Sequence, residues 1–211
     1  MIVLCPLDFE ASALRSAAAR HGWRVLRTGP GEGPAAWLRR SGLAPGSVVV
    51  LAGVAAGLQA PAHAGTAWAA ASVWHRGTRL EPTLPLPHAP AAALACVEVV
   101  LHTPADKAAT ATESGALLAC MESGHFARQA QAMQLRWAVV RGVSDGPAHA
   151  LPAAMATWTD ATGRTRKRVV AASVLRNPRL LRDMARCGWH GKAAMRAVAQ
   201  LLAAADNAHS P

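Results

Sequence analysis

The stretch ACMESGHFARQAQAMQLRWAVVRGVSDGP, residues 119–147, sets the architecture. Its first residues finish a short apolar run, ALLACM (116–121), which stops at Glu122. Residues 123–133 follow with helix-forming side chains and no Pro, and predict a helix. RWAVVRGVS (136–144) is then a continuous apolar run rich in valine, the pattern of a strand buried on both faces. It stops at Asp145. Strand, helix and strand, with an acid closing each strand, is the repeating unit of an α/β protein.

The same pattern extends outward. MIVLC (1–5) predicts a strand, and a helix follows over 10–21 with Ala13, Leu14, Ala17 and Ala18 on one face. WRVLRT (23–28) is a second strand, after which GPGEGP marks a loop. SVVVLAGV (47–54) is the most apolar strand; TAWAAASVW (66–74) and CVEVVL (96–101) follow, joined by the proline-rich EPTLPLPHAP. After Asp145, GPAHALPAAMATWTDATGRTRKRVV is irregular and leads into two basic helices, 178–187 and 192–205. No linker or repeat divides the chain, so residues 1–211 are expected to form one α/β domain, with a helical C-terminal end in the basic part, 146–211.

Composition removes several classes. With 52% hydrophobic residues in 211, the chain can bury a substantial core and is not disordered. No apolar run reaches the roughly 18 residues of a membrane span, and MIVLCPLDFE lacks the basic start of a signal peptide. Cys5, Cys96, Cys120 and Cys187 show no C-x-x-C or metal-ligand spacing, and neither do the nine histidines. Reduced thiols, a cytoplasmic location and no metal are therefore expected.

The net charge of +10 is concentrated. From residue 161 onward ten Lys/Arg face only Asp183 and Asp206, a surplus of eight. Such a surface suits anionic phospholipid, nucleic acid or a phosphate-bearing ligand, or is merely a solvated arginine face. A nucleic-acid partner is the weakest of these, because the basic segment carries no interleaved aromatic platform and no reader motif.

Chemistry is expected at strand ends, where loops of α/β proteins converge. Glu10, Glu122 and Asp145 each follow a different strand. Each could be a helix cap, which acids near helix N-termini often are; three together favour a shared crevice. LAGVAAGL (51–58) adds small residues, among them Gly53, Ala55 and Ala56, that let a ligand approach the backbone. It matches neither a phosphate loop nor a dinucleotide fingerprint.

Taken together, ACMES (119–123), VRGVSD (140–145), LAGVAAGL and PLDFEA (6–11) resemble motifs of the purine nucleoside and uridine phosphorylase superfamily, in particular its nucleosidase-like branch. TPADK (103–107), Gly163–Arg164 and NPRLLRDMA (177–185) look most like the hopanoid-biosynthesis-associated phosphorylases, which act on adenosylhopane. The resemblance implies a mixed central β-sheet flanked by helices and cleavage of a purine nucleoside's N-glycosidic bond, by hydrolysis or phosphorolysis. A methylthioadenosine/S-adenosylhomocysteine or futalosine-type nucleosidase, and a non-catalytic binder of nucleoside or lipid, are the alternatives.

The resemblance also implies roles. Asp145 would protonate the leaving base, helped by Ser144; Glu10 would activate water; Glu122 would accept hydrogen bonds from the ribose diol. Met121 would pack on the sugar, with Gly53, Ala55 and Ala56 lining the pocket. Arg141 is the nearest candidate for a phosphate ligand and Lys107 a weaker one, phosphate being the one co-substrate in question and no cofactor being implied. Departures from the pattern are Ala56 where a second glycine is usual, Cys120 where an Asp usually precedes MES, and no early G-D-P-x-R. A homo-oligomer and peripheral contact of the basic C-terminal helices with an anionic membrane complete the expectations.

Overall fold

In the computed structural model, which describes residues 1–209, the apolar runs become eight strands of one mixed sheet. β1 (Ile2–Cys5), β3 (Val48–Gly57) and β8 (Arg136–Asp145) run parallel side by side, with β2 (Arg24–Arg27) parallel on the far edge of β1. β4 (Ala67–His75) lies antiparallel to β8 and carries the short β5 (Thr78–Leu80) on one flank and β6 (Ala91–Cys96) on the other. β7 (Leu118–Cys120) is parallel to β6 and meets the end of β3 antiparallel at Ala56 and Gly57. Strands β3, β8, β4, β6 and β7 thus close on one another, leaving only β2 and β5 as edges.

Alternation along the central strands explains why they read as unbroken apolar runs. Leu4, Val49, Leu51, Trp137 and Val139 point to one face, where Leu38 of α2 (Gly33–Arg40) and Phe126, Ala127 and Ala130 of α4 (Ser123–Ala132) cover them. Val3, Cys5, Val50, Ala52, Ala138 and Val140 point to the other. There they meet Leu14 and Ala17 of α1 (Asp8–His21) and Met195, Val198 and Leu202 of α6 (Leu180–His209). At roughly 1.5–3 kcal/mol for each large apolar side chain removed from water, these two layers hold the sheet.

Several elements depart from the sequence reading, which also leaves α2 and β5 unassigned. CVEVVL is not a strand: β6 is the alanine-rich run just before it, and residues 97–101 form a loop. The two C-terminal helices are one, which passes through Gly188 and Gly191 without a break, after the separate α5 (Lys167–Arg176). The TPADK segment opens a helix, α3 (Pro104–Ser114), whose Thr103 and Asp106 form a reciprocal capping box at 3.1 and 2.9 Å. Among the described residues no helix is long and apolar enough to cross a membrane.

Candidate active site

Glu10 stands in the first turn of α1, so β1 leads directly into it. Its Oε2 accepts from the Leu7 backbone N–H at 2.7 Å, which caps the helix, and its Oε1 accepts from the Val54 N–H at 2.8 Å. The capping explanation and the site explanation therefore hold for the same carboxylate. Glu10 is 1% exposed, and burial pushes its carboxyl up to about 7 against the opposing charge of Arg141.

Glu122 is the residue before α4, yet its side chain makes no cap bond. Its Oε2 instead accepts from Arg141 Nη2 at 3.0 Å, and its Oε1 from the Gly31 N–H at 3.3 Å. Arg141, on β8, is fully buried, with Nη1 3.5 Å from the Val54 carbonyl. The guanidinium thus stands behind Glu122 and holds it; it does not face the hollow as a free anion ligand. Gly53 stands behind the wall too, for a physical reason: a Cβ there would lie 2.6 Å from both Arg141 Nη1 and Glu10 Oε1. Only glycine lets these two side chains pass the strand.

Asp145 ends β8, and no helix follows for it to cap. Ser144 Oγ donates to its Oδ1 at 2.6 Å, and Lys107 Nζ donates to its Oδ2 at 2.5 Å. Lys107 comes from α3 and is completely buried; its other donors reach the carbonyls of Gly146 at 2.9 Å and His149 at 2.8 Å. All three ammonium protons are satisfied, as a buried lysine requires. Burial raises the Asp145 carboxyl above the usual range, and the lysine opposes that rise. The sequence placed Lys107 among candidate phosphate ligands. Its partner is Asp145, a pairing between distant elements that no local pattern reveals.

These groups meet around one hollow of about 170 Å³. Glu10, Glu122, Ser144, Asp145, Met121, Ala55 and Ala56 are on its wall, and Cys120 and the 97–101 loop complete it. No Lys or Arg lines it. A second cavity, of about 690 Å³, adjoins it across Leu7, Val54, Ser144, Asp145 and Leu151. Its farther wall is mostly apolar, with Phe9, Met155, Trp158 and Met184. The three acids do not form a metal-binding group; among the described residues the one His/Cys/Asp/Glu cluster able to do so, His75, Cys96 and His125, lies outside the hollow.

Neither protein-family models nor curated protein sequences match the chain. Solved structures do. Futalosine hydrolase of Helicobacter pylori superposes with a TM-score of 0.68 at 12% identity, over 98% of this chain and 97% of that one. S-adenosylhomocysteine nucleosidase from Streptococcus pyogenes, in complex with 5-methylthiotubericidin, gives 0.68 at 11%, over 100% and 97%. The 5′-methylthioadenosine/S-adenosylhomocysteine nucleosidase of S. pneumoniae, with a transition-state inhibitor, gives 0.66 at 12%, over 99% of both chains. At such identities the likeness shows a shared fold: a single mixed-sheet α/β layer structure, end to end.

Proposed function

We propose that the protein hydrolyses the N-glycosidic bond of a purine nucleoside, releasing adenine from a 5′-substituted adenosyl compound. One observation carries this reading: Glu10, Glu122 and Asp145, from the ends of three different strands, face a single hollow while each keeps separate partners. Three roles can then be filled at once. Glu122, fixed by Arg141, accepts hydrogen bonds from the ribose diol. Glu10, with a carboxyl near neutrality, removes a proton from the attacking water, and a base works best when poised close to the ambient pH. As the bond from the anomeric carbon to the base nitrogen breaks, its electron pair passes into the purine. Asp145 delivers a proton to the imidazole ring, and the water oxygen bonds the anomeric carbon as its proton passes to Glu10.

Hydrolysis is favoured over phosphorolysis by charge. A phosphate dianion would enter a hollow walled by three acids and no cation, since Arg141 is held by Glu122 and Lys107 by Asp145. The adjoining apolar cavity favours a bulky, hydrophobic 5′ substituent over the small ones of methylthioadenosine, because burying such a group there supplies binding of about 25 cal/mol per Å². An adenosyl lipid such as adenosylhopane fits that description. A second reading, a binder without turnover, draws on Lys107, whose contact favours the Asp145 carboxylate over its acid form.

Adenine release from adenosyl substrates, followed with and without phosphate, tests these statements together. The expected products are adenine and the free ribosyl compound, formed at equal rates in both buffers. Asp145→Asn keeps an acceptor for Lys107 and should retain substrate binding while losing about 10²–10⁴ in rate. Sugar phosphate as product would overturn the hydrolytic assignment; an unimpaired Asp145→Asn would overturn the role of the acid; no release from any adenosyl compound would leave the binder.

A further inference from the structure

Behind the Glu122 wall lies a cluster that the proposed chemistry does not use. His75 ends β4, Cys96 ends β6, and His125 is in the first turn of α4. One potential ligand atom from each falls within 4.8 Å of the other two. His75 is 1% exposed, and both its ring nitrogens lack a hydrogen-bond partner. A buried imidazole with neither nitrogen satisfied is costly, and buried polar groups without protein partners commonly mark an absent ion or water. The two imidazoles stand edge to face with centroids 4.7 Å apart.

A carboxylate borders the cluster. The Glu98 carboxylate lies 3.8 Å from His75 Nε2 and 3.6 Å from His125 Nε2, beyond hydrogen-bond range for either. The two distances run to different oxygens, Oε1 and Oε2, and no single Glu98 oxygen joins the group within 4.8 Å, so the carboxylate borders the cluster and is not one of its ligands. Arg76 donates to Glu98 Oε1 at 2.9 and 3.2 Å and thereby orients the carboxylate. The packing also needs Gly124: a Cβ there would come within 2.3 Å of His75 Cγ and 2.8 Å of Cys96 Cβ. Glycine at the second position of α4 is what lets β4, β6 and the helix bring their ligands together.

We propose that His75, Cys96 and His125 form a zinc site that ties β4, β6 and α4 together, with water in the fourth position. Two imidazoles and a thiolate suit zinc and exclude the hard, oxygen-seeking magnesium and calcium. The site is structural in that none of its three protein ligands lines the hollow. It makes no call on the reaction at the hollow, although Cys96 pairs in register with Cys120 of its wall.

Chelator-stripped protein is dialysed against Zn²⁺, and the retained metal is counted per chain; the same protein is titrated with Co²⁺ and its absorption recorded. One Zn²⁺ per chain is expected, together with a thiolate-to-cobalt charge-transfer band and intense tetrahedral d–d bands. Cys96→Ser should lose the charge-transfer band, whereas Cys187→Ser keeps it. His75→Ala should bind Zn²⁺ at least ten-fold more weakly. Zn²⁺ should raise the melting temperature of the wild type and leave that of Cys96→Ser unmoved. Sub-stoichiometric metal in the wild type, or a cobalt spectrum unchanged by Cys96→Ser, overturns the site.

Discussion

Glu10 shows how one residue couples the fold to the chemistry. Its carboxyl rises from 4.5 to about 7 because it is buried, although two backbone N–H groups and Arg141 favour its charge. The sign of the linkage follows. Between those two pH values the folded state keeps a proton that the unfolded chain has released, so stability falls as pH rises through the window and levels off above about 7. The shift corresponds to about 3 kcal/mol at most. Urea unfolding at pH 5 and pH 8 should show this decline in the wild type. Glu10→Gln, which cannot ionise, should show a smaller decline, whatever its absolute stability. Identical pH slopes for the two proteins would mean that Glu10 is ionised throughout. If its carboxylate is the base, the rate of adenine release should rise over the same interval as stability is lost.

At the scale of elements, legibility in the sequence followed the source of each element's stability. β1, β3 and β8 were readable because burial on both faces demands unbroken apolar runs. β6 was not, because alanines fill it: Ala95 packs closely on Ala116, Ala119 and Leu58, and small size matters there more than β propensity. CVEVVL has the better strand composition, but Glu98 and Val99 are exposed and the segment walls the hollow instead. The acids' positions at strand ends were legible for the same reason as the strands, whereas Arg141 and Lys107 became interpretable only when distant elements met. α6 was misread at Gly188 and Gly191, which look like a break. Gly191 is buried where a Cβ would lie 3.6 Å from Phe9, and Gly188 faces open space with nothing within 4 Å. The helix is continuous because both flanks are packed, Leu180 and Met184 with Trp158 and Val170, and Met195, Val198 and Leu202 on the sheet, and Gly188 costs about 1 kcal/mol without gaining a contact. Gly188→Ala should therefore raise stability by roughly 0.5–1 kcal/mol, read as a higher urea midpoint at unchanged slope. A lowered midpoint would show that the helix needs flexibility at this point.

On the scale of the whole molecule the dominant asymmetry is charge. Six of the surplus eight positive charges after residue 161 fall on α5, α6 and their connection, where Lys167, Arg168, Arg176, Arg179, Arg182 and Arg186 are all exposed. Exposed Leu175, Leu181 and Trp189 are interspersed with them, at 83%, 58% and 72% accessibility, a mixture that a purely solvated face would not require. α6 also contributes Met184, Gly188 and Lys192 to the large apolar cavity, so the basic surface and the proposed tail pocket share one helix. A protein that must draw an adenosyl lipid from a bilayer gains from this arrangement, because docking brings the cavity to the substrate. Each basic residue near an anionic surface contributes about 1 kcal/mol, and an inserted tryptophan adds apolar burial. The protein should accordingly float with vesicles containing phosphatidylglycerol and remain behind with pure phosphatidylcholine. Raising salt should weaken the association as the Debye length shrinks. Replacing Arg176, Arg179 and Arg182 together by Gln should reduce partitioning by roughly two orders of magnitude, the equivalent of about 3 kcal/mol, while release of adenine from a short-chain, water-soluble adenosyl substrate stays unchanged. Equal recovery with both vesicle types would dismiss the membrane contact and leave the arginines in water. Loss of turnover on the short-chain substrate in the triple variant would instead tie this face to the hollow itself.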